Sequence, residues 1–131
     1  MSKNYRNNYD FKKIKNFTKK TNVRLIGMGG SILGSQAIYN FLKDKIKKKF
    51  FFIYNLNNLK DVSNNGSFTN LIISKSGNTL ETISNANLYI NKKDKNIFLT
   101  ENKKNYLSVL ANQLKAEIIH HNNFIGGRYS V

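Results

Sequence analysis

Short apolar runs alternate along the chain with longer segments whose apolar residues recur at helical spacing. Runs such as FFIY and LIIS lack polar alternation, which is typical of parallel strands covered by helices on both faces. The apolar runs predict strands at residues 23–27, 50–54, 70–74, 96–100 and 116–120. The segments between them predict helices at residues 32–47, 79–91 and 103–113. This alternation predicts an α/β fold, a doubly wound, flavodoxin-like five-stranded parallel sheet flanked by helices.

The patterning divides the chain into two parts. Residues 1–20 are rich in lysine and asparagine, and the spacing of Phe11, Ile14 and Phe17 predicts an arm or short helix laid against the rest. Residues 21–131 carry the strand and helix pattern without an internal repeat or a low-complexity linker. We therefore expect a single domain there.

Two glycine-containing turns follow the first and third predicted strands. The common open strand order 2-1-3-4-5 places these two strands side by side at the switch point of the sheet. Ligands of such sheets bind outside the carboxyl ends of the strands at that point. The turns GMGGS, from Gly27, and SKSGNT, from Ser74, are therefore expected to face one site.

The cysteine content and the net charge limit which kinds of site and partner we expect. The 131 residues include no cysteine, which excludes disulfides and thiolate sites and fits a reducing cytoplasm. A formal net charge of +15 at pH 7 is typical of nucleic-acid-binding proteins, but the excess is almost entirely lysine. Only Arg6, Arg24 and Arg128 offer the guanidinium that suits bidentate recognition. A solvated lysine-rich surface is the favoured interpretation, and a nucleic-acid partner stays a disfavoured alternative.

Membrane and metal sites are not expected. No apolar run approaches the roughly 18 residues that span a membrane. Lysines interrupt FKKIKNFTKK, where a secretory signal would be apolar, so we expect a cytoplasmic protein. The two histidines, His120 and His121, point to opposite faces of a strand and do not share a metal ion. We expect neither a metal nor a cofactor.

The first turn does not fit a nucleotide site. A GxGxxG fingerprint starting at Gly27 requires glycine or alanine at position 32, which is Ile32, and no acidic residue follows the second strand. No GK[ST] sequence of a phosphate-binding P-loop is present either. What remains is a turn whose glycines permit close backbone approach and whose Ser31 can donate to a sugar hydroxyl or a phosphate.

The second turn, within LIISKSGNTLET, has the groups of a phosphate cradle at a helix start. Ser74, Ser76 and Thr79 supply hydroxyls, and Gly77 permits unusual backbone dihedrals. Lys75 either brings its ammonium to the anion or points to solvent while its N–H binds the anion.

Helix capping is the alternative explanation for each turn. Asn78 and Glu81 have the spacing of a capping box, and Ser31 is an ordinary N-cap residue. Because two such turns fall on neighbouring strands, a paired phosphosugar site is favoured over coincidental caps.

Three strings, GMGGSILG, ISKSGNTLET and IGGRYSV, resemble the successive signature segments of the glucose-6-phosphate isomerase family, in the family's order. The resemblance extends from Val23 to Val131 and implies a sugar-isomerase (SIS) domain with this parallel sheet. The middle string alone is similar to SIS domains in general, whereas the third favours the isomerase. Gly30 and Ser31 then correspond to the sugar-contacting end of the first segment. The phosphate-binding positions are matched by Ser74, Lys75, Ser76 and Thr79.

The resemblance also assigns the remaining site residues. Gly77 and Asn78 belong to the substrate-binding loop at positions where animal members have bulkier residues, which leaves the loop shape open. Gly127 and Arg128 match the glycine and arginine near the reacting carbons. Arg128 is expected to stabilise the negative charge of an enediolate as glucose 6-phosphate and fructose 6-phosphate interconvert in glycolysis and gluconeogenesis.

Similar enzymes carry their glutamate base, histidine and lysine downstream of the GGRYS segment. We therefore expect residues 1–131 to be the amino-terminal portion of a longer parent, with the first of two SIS domains and a homodimeric assembly. The isolated chain is expected to bind phosphosugar without turnover. The alternatives are an SIS-type sugar-phosphate regulator and an isomerase of another phosphosugar.

Overall fold

The computed structural model describes residues 9–19, 22–55 and 67–125. Within them, strands and helices alternate as expected of an α/β domain. The strands are β1 (Asn22–Gly27), β2 (Phe50–Ile53), β3 (Phe68–Ile73), β4 (Lys95–Glu101) and β5 (Glu117–His121). The helices are α1 (Phe11–Thr18), α2 (Gly30–Leu42), α3 (Leu80–Tyr89) and α4 (Tyr106–Gln113).

The five strands form one parallel sheet in the order β2-β1-β3-β4-β5. This confirms the predicted fold class and the predicted switch point, since β1 has β2 on one side and β3 on the other. Gly27 pairs with Ile73, so β1 and β3 end at the same level. The two turns that follow them therefore start side by side.

Helices cover both faces of the sheet, which explains the unbroken apolar runs. On one face Ile26, Ile72 and Phe98 pack with Ala86 of α3 and Leu107 of α4. On the other face a second cluster joins α2 to the strands; it comprises Val23, Leu25, Ile32 and Ile73. Successive strand residues face opposite clusters, so both must be apolar.

The observed helices are shorter than the predicted ones. α2 ends at Leu42 rather than at residue 47, where the sequence continues as KDKIKKK. If the helix continued, Lys43 would lie beside Lys47 and Lys45 beside Lys49 on the same helix face, one turn apart. Like charges at that spacing repel. α4 begins at Tyr106 because Asn105 caps it together with Ser108. β3 begins two residues earlier than predicted, at Phe68.

A helix is present in the predicted amino-terminal arm. The Asp10 side chain caps α1 by accepting from the backbone N–H groups of Lys12 at 2.8 Å and Lys13 at 3.3 Å. Of the apolar residues that predicted this helix, Phe11 is 66% exposed, whereas Ile14 is partly buried. A polar contact joins α1 to the sheet, because the Lys13 ammonium pairs with the Glu117 carboxylate on β5.

Neither a membrane span nor a metal site is found in the described ranges. No helix there has the length and apolar character required to cross a bilayer. No group of three or more histidine, cysteine, aspartate or glutamate side chains is placed there to hold a metal ion.

Candidate functional site

The turns after β1 and β3 enclose a cleft of about 350 Å³. This volume lies within the range of roughly 300–1,000 Å³ typical of small-molecule sites. Its lining comes from both turns and consists of Met28, Gly30, Ser31, Ser74, Lys75, Ser76 and Thr79. A Cβ atom on Gly27 would lie 3.0 Å from the Ile73 carbonyl oxygen, so glycine permits the close approach of the two strand ends.

Glycine, not serine, starts the helix after the first turn. Gly29 occupies the N-cap position with φ 55°, a left-handed conformation that favours glycine, and α2 begins at Gly30. The expectation that Ser31 is the N-cap was therefore wrong. Its N–H donates to the Met28 carbonyl oxygen at 3.2 Å, while its hydroxyl bonds to none of the described residues. Ser31 thus lines the cleft with an uncommitted hydroxyl.

Ser74 stabilises the second turn through hydrogen bonds to other residues of that turn. Its side chain is 3% exposed, and its Oγ accepts from the Gly77 N–H at 3.2 Å. The same oxygen lies 3.0 Å from Thr79 Oγ1. A hydroxyl has one proton and two lone pairs, so Ser74 can accept from Gly77 and donate to Thr79. That arrangement leaves the Thr79 proton available to a ligand in the cleft.

The amino terminus of α3 is open. Thr79 is the N-cap residue, but its side chain bonds to no N–H group of the first turn. The capping box predicted for Asn78 and Glu81 was wrong, because Asn78 Oδ1 accepts from the Tyr106 N–H at 2.9 Å instead. In the described part of the chain, the N–H groups of Lys75 and Ser76 also have no acceptor. Unpaired donors at a helix start favour an anion through both hydrogen bonding and the helix dipole.

Gly77 connects this loop to α4 and requires glycine for two reasons. Its φ of 67° is left-handed, and a Cβ atom there would lie 2.1 Å from Asn105 Oδ1. Its carbonyl oxygen accepts from the Leu107 N–H at 3.1 Å. The loop shape that the sequence left open is therefore set by contact with the start of α4. Gly77 and Asn78 face that helix, whereas the other predicted loop residues line the cleft.

Two residues that the sequence analysis did not predict, Thr100 and Asn105, support the loop through hydrogen bonds. Asn105 Nδ2 donates to Thr100 Oγ1 at 3.0 Å, and Thr100 Oγ1 donates to the Lys75 carbonyl oxygen at 3.1 Å. Both side chains are nearly buried, Thr100 at 0% and Asn105 at 6% exposure. The available signal was the capping box of Asn105 with Ser108, which marks a helix start but not its neighbour in space.

The Lys75 side chain does not point to solvent, because its ammonium is bonded within the protein. Its ammonium donates to the Asn123 carbonyl oxygen at 3.0 Å and to the Ile125 carbonyl oxygen. Both acceptors belong to the segment after β5. The predicted Gly127 and Arg128 follow two and three residues after Ile125 and lie outside the described residues, so their roles stay predictions.

A family model described as "Phosphoglucose isomerase" matches residues 5–131. The chain belongs to the phosphoglucose isomerase family. This confirms the resemblance drawn from the three strings. The chain is 35% identical over 133 residues to the glucose-6-phosphate isomerase of Borrelia garinii subsp. bavariensis. This match covers 88% of this chain and 25% of that protein. It therefore spans about a quarter of the length of this family relative.

Two solved structures share the fold. A hypothetical protein from Thermus thermophilus has a TM-score of 0.73 and 19% identity, covering 90% of this chain and 31% of that chain. The NanR protein of Vibrio vulnificus, solved in complex with ManNAc-6P, has a TM-score of 0.61 and 19% identity. That match covers 91% of this chain and 46% of that chain.

Proposed function

We propose that this chain provides a phosphosugar-binding part of a glucose-6-phosphate isomerase, the enzyme that interconverts glucose 6-phosphate and fructose 6-phosphate. One observation carries the proposal. In a member of the phosphoglucose isomerase family, two turns at the switch point of the sheet bring unpaired N–H and hydroxyl donors to one cleft. Residues 21–131 are then the first of two SIS domains, and residues 1–20 are an appended arm.

The second turn is the phosphate end of this site. The uncommitted N–H groups of Lys75 and Ser76, the Thr79 hydroxyl and the open start of α3 all offer donors to one anion. The phosphate takes no part in bond making. Its binding energy holds the reactive carbons of the sugar in register, which lowers the entropic cost of the chemical step.

The first turn is the sugar end. Gly30 has no side chain that would block a sugar ring, and the Ser31 hydroxyl is free to bond to a ring or chain hydroxyl. The sugar-phosphate ligand of NanR supports this use of the fold, because that ligand too is a phosphorylated sugar.

The reaction moves a proton from C2 of the aldose to C1 through an enediolate. Negative charge develops on oxygen in that intermediate, so a guanidinium beside it stabilises the transition state more than the substrate. We assign this role to Arg128, with Gly127 allowing close approach. The general base is proposed to come from outside residues 1–131, so the isolated chain binds substrate without turning it over.

A ligand panel tests the proposal. Amide signals of the isolated chain are followed by NMR during titration with inorganic phosphate, glucose 6-phosphate, fructose 6-phosphate and ManNAc-6P. We expect shifts at residues 74–80, with the two hexose phosphates of the isomerase binding tightest. Preference for another phosphosugar would favour a regulator or a different isomerase. Steeply salt-dependent RNA binding that phosphosugars do not displace would favour the nucleic-acid alternative.

The parent enzyme is proposed to be a cytoplasmic homodimer that shares catalytic groups between subunits. Sedimentation of the parent and fractionation of cells test these two statements. A coupled isomerase assay tests the statement that the isolated chain does not turn over substrate. Measurable turnover by residues 1–131 would show that the base lies within them.

A further inference from the structure

Met28 places a thioether in the wall of the cleft. It follows β1 directly, lines the cleft and is 39% exposed. The other lining residues are glycine, serine, threonine and lysine, so Met28 supplies the apolar side chain of the lining. Binding sites combine polar groups for orientation with apolar surface for contact. An apolar side chain in this cleft suits the C–H groups of a sugar rather than its phosphate.

The thioether is accessible to small molecules. Glycines precede and follow Met28, so no neighbouring side chain along the turn covers it. Among the described residues, no atom beyond the two chain neighbours of Gly29 lies within 4 Å of a Cβ atom placed on Gly29. The space beside Met28 is therefore open to a molecule as small as hydrogen peroxide.

The chain offers few other sulfur atoms to an oxidant. It has no cysteine, and its second methionine is Met1, which lies outside the described residues. Thiolates are the usual targets of peroxides in proteins, and exposed methionine follows them. Sulfur oxidation within the described part of the chain is therefore confined to the cleft.

Resting on the proposed function, we propose that Met28 is an oxidation site, and that its conversion to the sulfoxide by a hydroperoxide weakens phosphosugar binding. A lone pair of the sulfur attacks one oxygen of hydrogen peroxide and the O–O bond breaks. The departing hydroxide takes the proton of the transferred oxygen and leaves as water. The sulfur is oxidised by two electrons, and the peroxide is reduced by the same two.

The sulfoxide changes the cleft in two ways. It replaces an apolar group by a polar one, which removes the contact with sugar C–H groups. Its oxygen is also a hydrogen-bond acceptor beside uncommitted donors. Ser31 already lies next to Met28, because its N–H donates to the Met28 carbonyl oxygen at 3.2 Å. Since a methionine side chain rotates about three bonds, the sulfoxide oxygen can bond to the Ser31 hydroxyl that the sugar would otherwise use.

The test treats the full chain with hydrogen peroxide and compares it with two variants, Met28→Leu and the double variant Met28→Leu, Leu88→Met. The double variant moves the thioether to an exposed position on α3, about 13 Å along the helix from Thr79. Mass spectrometry follows the gain of one oxygen at each methionine. NMR gives the Ser31 amide shift without ligand and the dissociation constant for glucose 6-phosphate. Each protein is compared with its own untreated form, so differences in starting affinity do not enter.

We expect Met28 to be oxidised within about threefold of the rate of a free methionine peptide, because its thioether is exposed. The Ser31 amide signal should shift, and glucose 6-phosphate affinity should fall on the order of tenfold. Methionine sulfoxide reductases for both epimers should restore the affinity. Peroxide should leave the affinity of both variants unchanged, although the double variant gains its oxygen on α3.

Unchanged affinity after complete oxidation of Met28 would overturn the proposal. An equal loss of affinity in treated Met28→Leu would also overturn it, since the effect would then come from another residue. So would a Met28 that stays reduced while the free peptide is oxidised. If the untreated chain bound no glucose 6-phosphate, the proposed function would fail, while the oxidation rate and the Ser31 signal would still decide whether Met28 is modified in the cleft.

Discussion

Two polar clusters lie at opposite ends of β1, β3 and β4, and they differ in whether their hydrogen bonds are complete. Arg24, Asn70 and Asn96 pair across these strands near their amino-terminal ends. The cradle follows the carboxyl ends. The first cluster uses its polar groups within the protein, whereas the second leaves donors unpaired around a cleft.

The amino-terminal cluster is nearly closed. Arg24 is 1% exposed, and its Nη1 donates to Asn70 Oδ1 at 3.2 Å and to the Tyr89 carbonyl oxygen at 2.8 Å. Asn70 Nδ2 donates to Asn96 Oδ1 at 2.8 Å. The guanidinium carbon lies 4.0 Å from the Phe68 ring centroid, in cation–π contact. Arg24 Nε is buried and has no hydrogen-bond partner among the described residues.

Electrostatics agree with a structural role for Arg24. Burial lowers the pKa of Arg24, and the nearby Asp94 and Tyr89 oppose that shift. A guanidinium stays charged at all ordinary pH values even so. A buried charge without such partners would be strongly destabilising, so the nearly complete bonding around Arg24 is what makes its burial possible.

The difference separates two uses of buried polar groups. Where the partners are other protein groups, polarity contributes to a single well-defined packing. Where donors at a helix start stay unpaired beside a cleft, we propose that the missing partner is a ligand. Four variants test this distinction.

The largest effect is expected for Arg24→Ala. It leaves Asn70 and the Tyr89 carbonyl without a donor and opens a cavity beside Phe68, so the free energy of unfolding should fall by about 3–5 kcal/mol. Urea denaturation of this variant and of Lys92→Ala measures it, and the exposed control should change by less than about 0.5 kcal/mol. A loss below about 1 kcal/mol would mean that the cluster contributes little to stability.

Gly77→Ala should rank second and affect both stability and binding. The added Cβ would strain a left-handed residue and displace the capping side chain of Asn105, at a cost of about 2–4 kcal/mol. Gly29→Ala is the matched comparison, because its φ is also positive but no atom lies within 4 Å of the added Cβ. Thermal unfolding should show the greater loss at Gly77. Equal losses would remove the proposed clash with Asn105.

Replacing Ser74 and Thr79 together by alanine should act mainly on the ligand. The phosphate loses its bond to the Thr79 hydroxyl, and the turn loses the Ser74 hydroxyl that orients Thr79. At about 1 kcal/mol for each loss, glucose 6-phosphate affinity should fall roughly 10- to 100-fold. Isothermal titration calorimetry measures this change, with Ser84→Ala in α3 as a control for the loss of a hydroxyl away from the cleft. Unchanged affinity would remove these two hydroxyls from the phosphate site.

The smallest effect is expected for Asn78→Ala. Because Asn78 Oδ1 caps the Tyr106 N–H, its loss should lower the free energy of unfolding by about 0.5–1 kcal/mol. Phosphosugar affinity should change by less than about threefold, a difference below about 1 kcal/mol. A much larger loss of affinity in an NMR titration would return Asn78 to the ligand-binding set.

Much of the fold followed from local patterns. Runs such as LIIS required burial on both faces, and this requirement alone predicted parallel strands between helices. The strand order and the meeting of the two turns then followed from general rules for such sheets. The predicted positions of the helix ends were less accurate. Repulsion among the lysines of residues 43–49 and capping by Asn105 end or start a helix at places that apolar periodicity does not indicate.

The candidate site was predicted only in outline. Ser31, Ser74, Ser76 and Thr79 were chosen because hydroxyls beside a helix start suit an anion, and the fold brings them to one cleft. The directions of individual bonds were not predictable. Asn78 caps a different helix from the one it precedes, and the Lys75 ammonium binds carbonyl groups far along the chain.

The sequence by itself determined the periodicity, the two turns and the family resemblance, since these depend on residue types at fixed short spacings. Tertiary structure alone decided which polar groups are satisfied. That property depends on groups distant in sequence, such as Asn105 beside Gly77 or Asn123 beside Lys75. Hydrogen bonds act over about 3 Å, so whether a donor is paired or left for a ligand is settled only when the chain is folded.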